Sequence, residues 1–150
     1  MAPYPNAAIV DGTAEATALP EHNADAVICA QALHWFDAEA FRAECRRILK
    51  PGGFVITVYN NMPGGSSGEY CQQSTDVFFT HPAVREFPNP IFYNRDGWLA
   101  YMTSHSHDPL PTDPGYAAHI AEMNTVFDRE NVDDKIRRDV VTKVYSERIP

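Results

Sequence analysis

An α/β fold of the doubly wound kind is what the sequence predicts, and three observations predict it. Ala24–Ala30 is a short apolar run with β-branched residues at its centre and polar bounds, which suits a strand buried on both faces of a parallel sheet. A helical stripe follows: behind Asp37, a good N-cap, Phe41, Cys45, Ile48 and Leu49 fall at i, i+4, i+7 and i+8. Residues 54–59 then read as a second strand. Strand, helix and strand at these spacings make a right-handed crossover, the repeating unit of such a sheet.

The other elements follow in chain order. The run Ala7-Ala8-Ile9-Val10-Asp11 reads as a further, shorter strand. Arg46, Arg47 and Lys50 crowd the last turn of the helix, where positive charge opposes its dipole, and Pro51-Gly52-Gly53 stops it. Residues 72–79 suggest a short helix with Phe78 and Phe79 packing inward. Asp113-Pro114 marks a helix start, after which Ala117, Ile120, Met123 and Phe127 form an apolar face. Residues 128–139 mix both charge signs and read as a solvated helix end and turn, and 140–149 supply a last, alternating strand.

Length and composition narrow the function classes. At 150 residues and 44% hydrophobic content the chain is expected to form a single domain, 1–150, with a core. No apolar run reaches the roughly 20 residues that span a bilayer, and the first residues lack a basic and then apolar leader, so a cytoplasmic location away from membranes is expected. Three scattered cysteines form no CxxC pair, and Cys29 and Cys45 read as buried reduced thiols. A net charge of −8 with dispersed lysines and arginines argues against a surface that coats nucleic acid.

Three stretches carry a resemblance. Residues 10–20, beginning Val10-Asp11-Gly12-Thr13-Ala14-Glu15, then Asp25-Ala26-Val27-Ile28-Cys29-Ala30-Gln31-Ala32-Leu33-His34-Trp35-Phe36-Asp37, then Ile48-Leu49-Lys50-Pro51-Gly52-Gly53, resemble the class I S-adenosylmethionine-dependent methyltransferases. Later pieces, Glu86-Phe87-Pro88-Asn89-Pro90 and the closing residues 143–149, look like the back half of the small-molecule branch of the type 11 methyltransferases. Asp96-Gly97-Trp98 to Met102 resembles the helix before that family's sixth strand.

The resemblance implies a Rossmann-like methyltransferase fold, α/β, truncated at the N-terminus, with the chain as the C-terminal portion of the family's domain. The glycine-rich GxGxG turn that opens the family's domain has no counterpart here. Gly64-Gly65-Ser66-Ser67-Gly68 is the other glycine cluster, and its composition reads as a flexible linker. In the family's sheet the third strand pairs with the second and the fourth with the first, so the strands near Ile9 and Val27 are expected to have open edges. Two arrangements would cover them: the first strand could slide beside the second, or two chains could pair as a homodimer through the open sheet edges.

Site residues follow from the same resemblance. Gly12, Thr13, Ala14 and Glu15 would lie at the cofactor, with Thr13 and the Ala14 backbone beside the adenine, and Gln31 would line the methionine end. As bare residues, 12–15 could also be merely a polar strand-to-helix turn and Gln31 a turn residue capping a strand end. His34, Trp35 and Phe36 would face the substrate, their rings near the sulfonium. His34 is the neutral-pH base of the block and the candidate catalytic residue, although a structural histidine fits it as well and methylation of a carboxylate needs no base. Trp35 and Phe36 also suit ordinary packing. Arg85 and Arg95 could bind a substrate carboxylate, but read better as solvated or paired. His105 and His107, with His81 elsewhere, lack a third metal ligand, so no metal is expected.

The leading expectation is methyl transfer from S-adenosylmethionine to a small-molecule substrate. The alternative is a non-catalytic fragment of a methyltransferase acting as a dimer or partner subunit. Without the glycine turn, this chain alone is expected to bind the cofactor weakly or not at all. A dinucleotide-dependent oxidoreductase fails for want of the same turn.

Overall fold

The structure, a computed structural model, describes residues 6–62, 67–105 and 108–149. The crossover is present. Strand β1 (Ala24–Ala30) runs parallel to β2 (Leu49–Asn61), with Val27 opposite Val55, Ile28 opposite Ile56 and Cys29 opposite Thr57; α1 (Ala38–Ile48) joins them. The Asp37 carboxylate accepts from the Ala40 amide at 2.9 Å, and so caps α1 as its sequence position requires. Phe41, Cys45 and Ile48 are buried, and Leu49 continues the stripe as the first residue of β2.

The helix ends earlier than expected. It stops at Ile48, because a residue preceding proline is pushed out of the α region and Lys50 must already be extended. Lys50 therefore does not serve the helix dipole; its ammonium pairs with Asp25 at 2.9 Å. Pro51-Gly52-Gly53 forms a bulge inside β2, since Ala24 faces Leu49 whereas Ala26 faces Phe54. Gly52 has φ +82°, and a Cβ on Gly53 would come within 3.0 Å of the Lys50 carbonyl oxygen and 3.1 Å of the Asp25 carbonyl oxygen.

Strand β4 (Ile136–Arg148) pairs antiparallel with the other side of β2, from Phe54 opposite Arg148 to Asn61 opposite Val141. With β3 (Ala83–Tyr93) the sheet has the order β1-β2-β4-β3. The helices are α2 (Ser67–Phe78), α3 (Arg95–Met102) and α4 (Tyr116–Glu130), and Leu33–Trp35 form one turn of 3₁₀ helix after β1.

Four expectations are corrected. Residues 7–11 form no strand; Ile9 is 89% exposed, because the chain just beyond it is tied to α1 instead of to a sheet edge. The last strand begins at Ile136 rather than 140, so the charged segment already contains sheet. Helix α4 begins at Tyr116, since Asp113 spends its carboxylate on the Leu110 amide at 2.8 Å and closes a turn one step upstream. Helix α3 follows β3 and is succeeded by α4, so it does not lead directly into a strand as the resemblance implied.

Two compact units make up the chain: Met1–Pro88 with Val141–Pro150, and Asn89–Val140. The first is built on Leu33, Phe41, Cys45, Val55, Tyr59 and Tyr145, with Phe78 and Phe79 packed inward as their sequence suggested. Cys29, Cys45 and Cys71 are free and buried there, and burial pushes the Cys45 thiol up to about 12. The opposite face of its sheet is open: Ala26, Ile28 and Ala30 on β1 and Phe54 on β2 are exposed, and Ile56, Val58 and Val144 are half-buried. The second unit is built on Trp98, Met123, Phe127 and Ile136. In it the Trp98 indole N–H donates to the Met123 carbonyl at 2.9 Å, and the Arg138 guanidinium lies 4.6 Å from the Trp98 ring centre.

Candidate functional site

The carboxyl end of the parallel pair β1 and β2 is where an open α/β sheet receives its ligands. Two turns meet there, one upstream of β1 and one directly after it. The first is a tight loop in which the Thr13 and Ala16 backbones exchange hydrogen bonds, both at 3.2 Å. Gly12 permits it, since a Cβ there would lie 2.8 Å from the Ala16 carbonyl oxygen. Glu15 then reaches forward: its carboxylate accepts from the Asp37 amide at 3.1 Å. Ala14, half-buried, packs against the same core as Ala32 and Phe36.

The second turn starts with strain. Gln31 stands at φ 54°, a conformation uncommon outside glycine. It is held there by β2: the Gln31 amide donates to the Val58 carbonyl at 3.0 Å and its side-chain amide to the Asn60 carbonyl at 3.3 Å. The 3₁₀ turn that follows buries Leu33 and leaves His34 and Trp35 on the surface, their ring centres 5.0 Å apart. Phe36 is half-buried and meets Phe41 edge-on at 4.9 Å. The six sequence-predicted residues from 13 to 15 and 34 to 36 thus lie on two turns joined by the Glu15 to Asp37 hydrogen bond. Gln31 is placed with them, its amide turned onto the strand.

One contributor was missed by sequence reasoning. Glu44, on the buried side of α1, accepts from both the Thr17 amide at 2.8 Å and the Thr17 hydroxyl at 2.5 Å. It also takes a two-point bridge from Arg47, at 2.8 and 2.7 Å. Hydrogen bonds from Arg47 and then from Thr17 hold its carboxyl down at about 2, against the desolvation that would raise it. Glu44 anchors the far end of the first turn to α1. Its only local trace in the sequence is the i, i+3 spacing to Arg47.

The remaining candidates lie elsewhere. Arg95 is engaged by Asn124 at 3.0 Å and Asp128 at 2.5 Å and lies over the Phe127 ring at 4.4 Å, which accounts for its charge. Arg85 is exposed on β3. His105 bonds Asp108 through Nδ1 at 2.9 Å. His107, Gly64, Gly65 and Ser66 lie outside the described residues, while Ser67 and Gly68, expected as part of a linker, begin α2.

Part of the chain that forms the site is similar to known proteins. The family model described as a methyltransferase domain matches residues 2–57. Residues 2–57 are thus similar to a methyltransferase domain. An uncharacterized methyltransferase-like protein of Schizosaccharomyces pombe is 40% identical to this chain over 57 residues, 38% of this chain and 22% of that protein. An uncharacterized methyltransferase of Mycobacterium tuberculosis is 41% identical over 59 residues, 39% of this chain and 24% of its own length. The chain thus spans less than a quarter of the curated relatives it matches.

The fold agrees over a wider span. A proposed type II methyltransferase of Anaeromyxobacter dehalogenans superposes with a TM-score of 0.69 at 20% identity, covering 97% of this chain and 73% of that one. A proposed methyltransferase of Bacillus halodurans gives 0.50 at 15% identity, covering 94% and 71%. The methyltransferase fold, a mixed α/β sheet with helices, therefore extends past the segment whose sequence matches. Among the described residues no helix is long and apolar enough to cross a membrane.

The donor set fits the family's cofactor in part. Thr13 is exposed, and the exposed His34 and Trp35 offer ring faces suited to a sulfonium. The Glu15 carboxylate and Gln31 amide are already engaged within the fold. Thr13 and Ala14 are the residues that could meet the cofactor, the 34–36 block stands on the adjoining turn, and Gly12, Glu15 and Gln31 shape the turns that carry them.

Proposed function

We propose that this chain carries the acceptor side of a methyl transfer from S-adenosylmethionine to a small molecule. The carrying observation is that the Gly12–Glu15 turn and the Gln31–Phe36 turn stand side by side at the carboxyl end of the β1–β2 pair, tied by Glu15 and Asp37. The cofactor supplies a methyl group activated on a sulfonium, which a nucleophile displaces in line. The chain's part is placement: the two turns orient the reactants, and the Trp35 and Phe36 rings give the methyl group an apolar, electron-rich wall. His34, exposed beside Trp35, would take the proton of a hydroxyl or amine acceptor and be idle for a carboxylate.

A second reading is favoured by the open face and edge of β1. Parallel sheets occur almost only with both faces covered, and Ile28 is 68% exposed. On this reading the chain is a non-catalytic methyltransferase-derived subunit that pairs with a second copy or another polypeptide.

Calorimetric titration of the purified chain with S-adenosylhomocysteine separates the two. Saturable binding that weakens in Trp35→Ala supports the first. A well-folded chain that takes up no ligand overturns it in favour of the second.

A further inference from the structure

The chain carries both halves of a strand pairing that it does not close on itself. β1 ends the sheet on one side, so its outer edge is unpaired. Nothing blocks that edge: Asp25, the one charge on β1, stands near its start and is paired with Lys50 at 2.9 Å, and no proline interrupts the strand. β1 is also apolar on both faces. Ala26, Ile28 and Ala30 are exposed on the open side, and Val27 on the core side is still only half-buried. A strand that completes such an edge must itself be apolar on both faces. Ala7-Ala8-Ile9-Val10 has that character. These residues are exposed, Ile9 and Val10 among them, and they meet no strand among the described residues. The root of the segment is fixed nevertheless, since Glu15 holds the Asp37 amide and Glu44 holds Thr17.

We propose that residues 7–11 of one chain add a strand to the β1 edge of a second copy, which returns the same strand in a twofold exchange. A second copy is the occupant because each chain holds one donor segment and one acceptor edge, so reciprocal exchange satisfies both at once. Edge-to-edge pairing of two β1 strands would leave Ile9 and Val10 in water on both chains. In the exchange these two side chains fall on opposite faces, one beside Ile28 on the open side and the other toward Val27 and Cys29. The Gly12–Glu15 turn then follows directly from a strand held by the partner. This inference rests on the reading of the chain as one that pairs, and it names the segment and the edge; it does not depend on methyl transfer.

The test is sedimentation equilibrium of the parent, of two variants and of their mixture. The parent is expected to be a dimer. The double variant Ile9→Asp, Val10→Asp alters the donor segment alone, at positions exposed in the single chain, and should weaken the dimer by roughly a hundredfold. Ile28→Lys alters the acceptor edge alone and should weaken it as much. Mixing the two variants should restore a heterodimer, because the intact segment of one meets the intact edge of the other. Pairing of β1 with β1 gives no such rescue, since every mixed pair contains an altered edge. A dimer that the double variant leaves intact overturns the exchange while keeping the pairing reading. Two monomeric variants that stay apart on mixing also overturn it. A parent that remains monomeric overturns the exchange and the pairing reading together.

Discussion

Among single residues, those that hold the two turns do so through partners far away in sequence. Glu44 is the clearest, with Thr17 and Arg47 sharing one buried carboxylate. Its pKa is lowered in the folded state to about 2, so its stabilising contribution is complete above the ordinary glutamate value of 4.5. It is lost as pH falls from there toward 2. Glu44→Gln should therefore cost about 1–3 kcal/mol at neutral pH and flatten the acid limb of stability between those values. Denaturant melts of both proteins across that range check it, and parallel pH profiles would show that the carboxylate does not matter. The sequence could place Asp37, whose target is the local Ala40 amide, but not Glu44, whose target lies 27 residues away.

At the scale of elements, local rules were legible wherever one element carried its own signals. The β1–α1–β2 crossover had a cap and a stripe, and both are present, whereas the helix ends at Ile48, before the Pro51-Gly52-Gly53 that was expected to stop it. Asp37→Ala should lower stability by about 0.5–2 kcal/mol through the lost cap, and should also loosen the Glu15 bond to the residue 37 amide. Thermal melts and exchange at that amide check both effects; an unchanged melting point would mean that the fraying end of α1 carries no weight. Strand β3 was illegible because Pro88 and Pro90 lie within it, and proline argues against a strand except at bulges and edges. β3 does lie at the end of the sheet order. Residues 7–11 failed in the other direction. Their apolar alternation resembles a strand, but strand formation needs a neighbour, and the hydrogen bonds of Glu15 and Glu44 draw the following chain toward α1.

Among the described residues the sheet ends in β1 on one side and in β3, which carries Pro88 and Pro90, on the other. β1 is paired on one side, and Ile28 lies on both its free edge and the open face. Edge strands of this kind pair with other chains unless charge or proline blocks them. The purified chain should therefore self-associate at micromolar concentration, and Ile28→Lys should return it to the monomer. Sedimentation of the two proteins decides it; identical masses would remove the edge as the cause. The similarity to methyltransferase domains was legible from motifs in the first 53 residues, where sequence similarity also concentrates. Beyond them the fold match continues and the sequence match does not, so the division into two units could not be read from residues alone.

The pairing of β2 with β4 also has a consequence during synthesis. Phe54 meets Arg148, a partner translated about ninety residues later, which at ordinary ribosomal speed is a delay on the order of 5–20 s. Through that interval the nascent chain presents β2 with its outer edge unpaired and its Tyr145 contact unmade. The second unit, continuous from Asn89 to Val140, emerges complete before the first can close. The chain thus finishes its inserted part first and its enclosing part last, which makes the unfinished polypeptide, more than the finished one, the natural client of chaperones.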